Sequence, residues 1–210
     1  AKQGADVRMY VSLPEEAKEI RDGVAANGGI TVHKPADTDA PEESYTAAIS
    51  PDAISSNPAD VIPDAELVII ITPAFAHEPI LRQIEPHVHH EVFVGAIPAP
   101  GGFQWMAEHI LRDSASGLTV FGGDHLPWAC RIEEKGKSVS LLGVKSHVDV
   151  CVHPHGKDTD LFSTLNRLFV GTTYTDGGHF LNCTLFPTNC IIHPGIMYGL
   201  WHDWDGQPVT

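Results

Sequence analysis

The chain has 210 residues, 42% hydrophobic and 19% charged, an ordinary globular composition long enough for one full core and the start of a second. Its formal net charge is −14, with 13 lysines and arginines against 27 aspartates and glutamates, which leaves no basic face for nucleic acid. The longest apolar run, Leu67 to Ile71, is far short of the roughly 20 residues that span a bilayer, and residues 1–20 lack a signal-peptide core, so the expected location is cytoplasmic, with no membrane partner.

In chain order, Ala1 to Gly4 read as the tail of a helix closed by Gly4. Val7 to Leu13 reads as a strand. Pro14 to Ala26 has helical spacing, with proline in the first turn, acids beside it and Asn27-Gly28-Gly29 as its stop. Ile30 to His33 is a strand. Residues 35–64 are rich in proline, aspartate, serine and alanine and carry at best a short strand near Ala47–Ser50 and a short helix near Asn57.

Glu66 to Thr72 is a continuous β-branched run, as in a parallel strand covered on both faces. A helix over Ala76 to His87 follows, then a strand over Glu91 to Ile97, a helix over Gly102 to Ser114 and a strand over Leu118 to Asp124. This alternation implies a Rossmann-like, doubly wound parallel α/β sheet. Beyond Asp124, Arg131–Lys135 and Ser138–Lys145 flank Gly136 as a hairpin. Thr159 to Phe169 is helical. Phe180 to Trp201 is apolar and helical, with breaks expected at Pro187 and at His193-Pro194-Gly195.

In such sheets ligands bind beyond the carboxyl ends of the strands. Three loops qualify: Thr72 to Glu78, Pro98 to Phe103, and Asp124 to Arg131. Small residues at 74, 76, 99, 101 and 102 let a flat ring approach the backbone, although packing alone also favours them there. A GxGxxG fingerprint is absent and would belong before Ala1, so the first strand and phosphate loop are expected upstream; a sheet that binds no dinucleotide is the alternative.

The four cysteines, Cys130, Cys151, Cys183 and Cys190, form no CxxC pair, so reduced, mostly buried thiols are expected and no metal is assigned. Among 13 histidines, His87, His89 and His90 read as solvated groups at a helix end, and His153 and His155 as members of a surface turn. His193 lies in an apolar stretch beside Pro194 and Gly195. Context leaves it either a satisfied core histidine or a polar tip facing a cavity. Arg131 suits a carboxylate, a phosphate or a structural ion pair.

Four segments then match in order: Thr72 to Glu78 (TPAFAHE), Leu126 to Ile132 (LPWACRI), Leu142 to Ser146 (LGVKS) and His193 to Val209 (HPGIMYGLWHDWDGQPV). Through them the chain resembles the opine dehydrogenases of marine invertebrates, the octopine, tauropine, strombine and alanopine enzymes. The resemblance implies a Rossmann-like cofactor domain over residues 1–180, lacking its first strand, and an interdomain segment with the start of an all-helical substrate domain over 181–210. It implies NADH, with NADPH the alternative, and reductive condensation of pyruvate with an amino acid. His193 falls on the family's catalytic histidine and Asp124 on the acid that helps hold the amino acid. The substrate-binding candidates are thus Asp124, Trp128, Cys130 and Arg131. The cofactor-binding candidates are Thr72, Pro73, Ala74, Phe75, His77, Pro98 and Ala99.

Three departures bear on the co-substrate. The octopine enzyme has a glutamine where Pro100 stands, a methionine where Pro187 stands and a glutamate where Asp124 stands, which points from arginine toward taurine, glycine or alanine. The rival readings are another dehydrogenase, of glycerol-3-phosphate type, and a non-catalytic dinucleotide-binding module. No feature of the sequence speaks to oligomeric state, and the abrupt ends suggest a partial chain.

Overall fold

The computed structural model describes residues 3–34, 42–89, 91–112, 118–153, 159–185 and 188–206. Ala1, residues 35–41, His90, Ser114, His155, Pro187 and Val209, named above, lie outside them, as does the side chain of Cys190.

The first unit is β1 (Met9–Tyr10), α1 (Pro14–Asn27), β2 (Ile30–Lys34), β3 (Glu43–Ala47) and β4 (Ile54–Ser55). Helix α1 starts where the sequence places it. Pro14 sits at the first turn with Glu15 and Glu16, where a missing N–H costs nothing and negative charge meets the positive end of the dipole. It ends at Gly28, whose φ of 72° is left-handed and whose N–H returns to the Val24 carbonyl. β1 pairs in parallel with β4. It is shorter than the expected strand because the chain turns at Ser12–Leu13 to enter the helix.

The central sheet is built from β5 (Leu67–Ile70), α2 (His77–Ile84), β6 (Phe93–Ala96), α3 (Phe103–Leu111) and β7 (Thr119–Gly123). β5, β6 and β7 are parallel neighbours, the α/β arrangement the sequence implies. Side chains alternate between faces. Val68, Ile70, Val94, Ala96 and Val120 pack with α2 and α3 in one core, while Leu67, Ile69, Phe93 and Phe121 belong to a second core on the opposite face. Phe121 lies directly across from Gly95, and a Cβ at Gly95 would run into its ring. That glycine therefore makes room for the largest side chain of the sheet centre.

The rest of the chain is β8 (Trp128–Glu134), β9 (Ser138–Val144), β10 (His147–His153), α4 (Thr159–Leu168), β11 (Thr173–Asp176), α5 (Leu181–Thr184) and α6 (Thr188–Trp201). Here the structure departs from a simple parallel sheet. β10 joins β7 antiparallel and β11 joins β10 in parallel, giving the order β11-β10-β7-β6-β5. The expected hairpin exists, but it extends β2 and β3 into a second sheet ordered β3-β2-β9-β8. Its turn is bolted onto α1. A Cβ on Gly23 would lie 2.7 Å from the Lys135 carbonyl oxygen, and Gly136, at φ 72°, sits against the Ile20 carbonyl. α6 is also continuous through His193-Pro194-Gly195, where a break was expected. Proline removes one intrahelical bond, but its φ is helical, and the apolar residues on both sides carry the helix on.

Candidate functional site

The three nominated loops all leave the carboxyl ends of β5, β6 and β7, so parallel register brings them to one edge of the sheet. In the first, Ala74 to Ala76 form one turn of 3-10 helix and Phe75 projects outward, 85% exposed. His77 does the opposite: it is fully buried. Its Nε2 donates to the Thr72 carbonyl at 3.0 Å and its ring meets Phe103 edge-on at 5.2 Å. Burial holds the imidazole below its ordinary pKa, with the Thr72 bond opposing. His77 thus fixes the loop from beneath, and its Nδ1 and the Thr72 hydroxyl are buried without partners among the described residues.

The second loop begins with a cis Ile97–Pro98 peptide. The Ala99 N–H donates to the Gly123 carbonyl at 2.9 Å, stitching this loop to the end of β7. Gly101 and Gly102 have φ of 69° and 78°, and Gly102 caps α3. A Cβ on Gly101 would meet nothing within 4 Å, so this backbone faces open space. The first N–H groups of α3 lack intrahelical acceptors, which suits an anion. The Gly102 N–H itself is taken by the Thr184 hydroxyl of α5. Gln104, in the first turn, is fully buried and neither atom of its amide has a partner among the described residues.

At the third loop the Asp124 N–H donates to the Asp149 carbonyl at 3.0 Å, and its carboxylate is largely buried. His125 Nδ1 approaches Asp124 Oδ1 to 2.7 Å. The approach lies off the ring N–H direction, so Oδ1 gains no aligned hydrogen bond from it. His125 Nε2 donates to the His147 carbonyl at 3.0 Å. His147 Nε2 and the Thr175 hydroxyl both lie 3.0 Å from Asp149 Oδ1. This group of two histidines, two aspartates and a threonine went unnoticed in the sequence. Its signal was the alternation in His147-Val148-Asp149-Val150, which marks a strand whose polar face opens at the loop edge.

The structure divides the remaining candidates. Thr72, Pro73, Ala74, Phe75, Pro98, Ala99 and Asp124 share the loop edge. Trp128 starts β8 and packs edge-on against Phe169 at 5.3 Å. Cys130 and Arg131 lie farther along β8, on the edge of the second sheet, both exposed, and the Arg131 guanidinium bonds only the neighbouring Cys130 carbonyl among the described residues. His193 is exposed on α6, and no hydrogen bond joins it to the three loops among the described residues.

No protein-family model matches the chain. It is 31% identical to the octopine dehydrogenase of Mizuhopecten yessoensis over 212 residues, all of this chain and 52% of that enzyme. It is 35% identical to the tauropine dehydrogenase of Arabella iricolor over 168 residues, 76% of this chain and 41% of that enzyme. A solved octopine dehydrogenase with NADH and L-arginine superposes with a TM-score of 0.83 at 31% identity, over 99% of this chain and 51% of that one. The chain spans about half the length of these relatives.

Proposed function

Since the chain belongs to the opine dehydrogenase family, we propose that the protein is an NADH-dependent opine dehydrogenase that condenses pyruvate reductively with a small amino acid. The observation that carries this reading is the likeness to octopine dehydrogenase, which runs over the whole chain in sequence and 99% of it in structure. The loop edge suits a dinucleotide by shape and donor set. Gly101 leaves open space over the backbone, Phe75 offers an exposed aromatic face, and the first turn of α3 offers N–H groups. When bound, the nicotinamide supplies hydride.

The residues of this chain do the rest. Pyruvate and the amine lose water to form an imine, and hydride adds to its carbon. His193 gives and takes the protons of these steps, work for which imidazole is suited at cellular pH. Asp124 holds the ammonium group of the amino acid. Taurine, glycine or alanine is favoured over arginine, because Pro100 offers no side-chain donor and Asp124 reaches one methylene less far than a glutamate. Trp128, Cys130 and Arg131 remain the further substrate-binding candidates, with Cys130 and Arg131 exposed along β8 away from the loop edge and so dependent on the rest of the protein to meet the substrate. Helix α6 is apolar on all sides yet exposed from Ile191 to Trp201, which fits a helix that a substrate domain encloses. No helix among the described residues is long and apolar enough to cross a membrane; we place the protein in the cytoplasm.

The test is NADH consumption by the full-length protein with pyruvate plus taurine, glycine, alanine, β-alanine or arginine. Turnover with one of the small amino acids supports the reading. NADH binding without turnover for any pair would replace it with a non-catalytic dinucleotide-binding module.

A further inference from the structure

Cys151 and Cys183 come from distant parts of the chain and meet in the interior. Cys151 lies in the middle of β10, fully buried, opposite Gly122. Cys183 lies in α5 and is 3% exposed. With Phe180 they form a small cluster of their own, apart from both main cores. The two side chains pack together in that cluster, and the Cys183 thiol donates to the Asp149 carbonyl oxygen at 3.7 Å. Gly177 leaves room for the Cys151 sulfur: a Cβ there would lie only 2.9 Å from Sγ, so a side chain at this position would crowd the pair.

We propose that Cys151 and Cys183 are an oxidative modification site, a thiol pair that hydrogen peroxide converts into a disulfide fastening α5 to the sheet. The two sulfurs are unequal. Contact with Cys183 holds the Cys151 thiol below its ordinary pKa against the effect of burial and of the Asp149 and Asp176 carboxylates. The same contact, then burial and the nearby Asp124 carboxylate, push Cys183 up. Cys151 is therefore the more acidic thiol of the pair and the one we assign as nucleophile. Its thiolate attacks one peroxide oxygen, the O–O bond breaks, and the sulfur becomes a sulfenic acid as the other oxygen leaves as hydroxide and is protonated to water. The Cys183 sulfur then attacks the Cys151 sulfur, the S–O bond breaks, and the hydroxyl leaves with the Cys183 proton as a second water. Two electrons pass from the thiols to peroxide.

Access comes through α5, a helix of four residues, whose local opening requires far less than global unfolding. Fastening it has a consequence for the site. Thr184, next to Cys183, accepts the Gly102 N–H of the second loop, and α6, which carries His193, begins at Thr188. The disulfide fixes the link between the loop edge and α6. The pair's chemistry is independent of the dehydrogenase reading, so either can fail alone.

The test treats the full-length protein with a slight excess of hydrogen peroxide, then denatures it, alkylates free thiols and digests it without reductant. We expect a peptide joining Cys151 to Cys183, abolished by dithiothreitol, and slower amide exchange across residues 181–185 in the oxidised protein. In Cys183→Ser the reaction stops at a sulfenic acid on Cys151, trapped by dimedone. Should that variant not fold, the wild-type peptide map decides by itself. Recovery of Cys151 and Cys183 as alkylated thiols, or a disulfide that uses Cys130 or Cys190 instead, overturns the proposal.

Discussion

Strand β7 and helix α6 are both rich in apolar side chains, but they have opposite fates. Every residue of β7 is buried, with α3 against one face and the α4 side against the other. Every residue of α6 from Ile191 to Trp201 is exposed, including Ile191 at 64%, Tyr198 at 71% and Leu200 at 64%. Composition is not what separates them. β7 has covering layers supplied by the chain described here, and α6 does not. A helix apolar on all sides is usually a buried one, so β7 is covered by this chain's own layers while α6 presents an apolar face that the described residues leave open. In the proposed enzyme the division is chemical too: the loop edge beside β7 holds the cofactor, and α6 brings the acid/base.

The largest expected effect tests that chemical division. In the full-length protein, His193→Ala should lose roughly 10²–10⁴ in turnover, about 3–5 kcal/mol of barrier, while NADH binding stays as it was. Fluorescence titration with NADH and steady-state rates separate the two. Lost NADH binding would mean that α6 and the loop edge do not divide the work.

The next tests the division in stability. Phe121→Ala removes a fully buried ring packed over Gly95 and should destabilise this chain by about 3–5 kcal/mol in urea melts. Leu200→Ala should change the stability of this chain by no more than about 0.5 kcal/mol, because no covering layer is lost. In the full-length protein the same change should cost about 2–5 kcal/mol if a second domain encloses α6. Equal effects in both would show α6 to be a free surface helix.

A third prediction concerns the second sheet. Gly136→Ala forces a side chain into the left-handed region and against the Ile20 carbonyl, which should cost roughly 1–3 kcal/mol. The loss should fall on α1, β2 and the hairpin, read by hydrogen exchange, with the β5–β7 sheet left protected.

These regions also differ in how legible they were in the sequence. β5, β6 and β7 are short apolar runs between helices of clear period, so their parallel order followed from pattern alone. The loops at their ends followed from the rule about carboxyl ends. β10 and β11 were missed because His147, Asp149 and Thr175 break up the apolar run, and their place is set by pairing with β7 and with each other, not by local propensity. The union of β2 and β3 with the hairpin depends on Gly23 and Gly136 coming together across more than a hundred residues, which no local signal encodes. At the site, the nominated loop residues do share one edge. What the sequence could not show is direction: Phe75 points out, and His77, two residues on, points in.

That inward turn of His77 underlies the smallest effect. Its imidazole is fully buried, with Nε2 donating to the Thr72 carbonyl, and burial holds its pKa below the ordinary value. In the unfolded chain it titrates near its ordinary pKa of about 6.5. Above that pH neither state binds the proton, and the contribution to stability is full. As the pH falls below about 6.5, the unfolded chain takes up a proton that the folded chain refuses, so stability declines with acid. The comparison to make is therefore one of slopes. His77→Gln keeps a donor for the Thr72 carbonyl but cannot titrate, and its melting temperature should fall less steeply than the wild type's as the pH is lowered through that range. The other 12 histidines are common to both proteins and so drop out of the difference. An equal slope would mean that the first loop opens to solvent before His77 is asked to ionise. The loop edge would then be a looser part of the body than its buried histidine implies, closer in character to α6 than to β7.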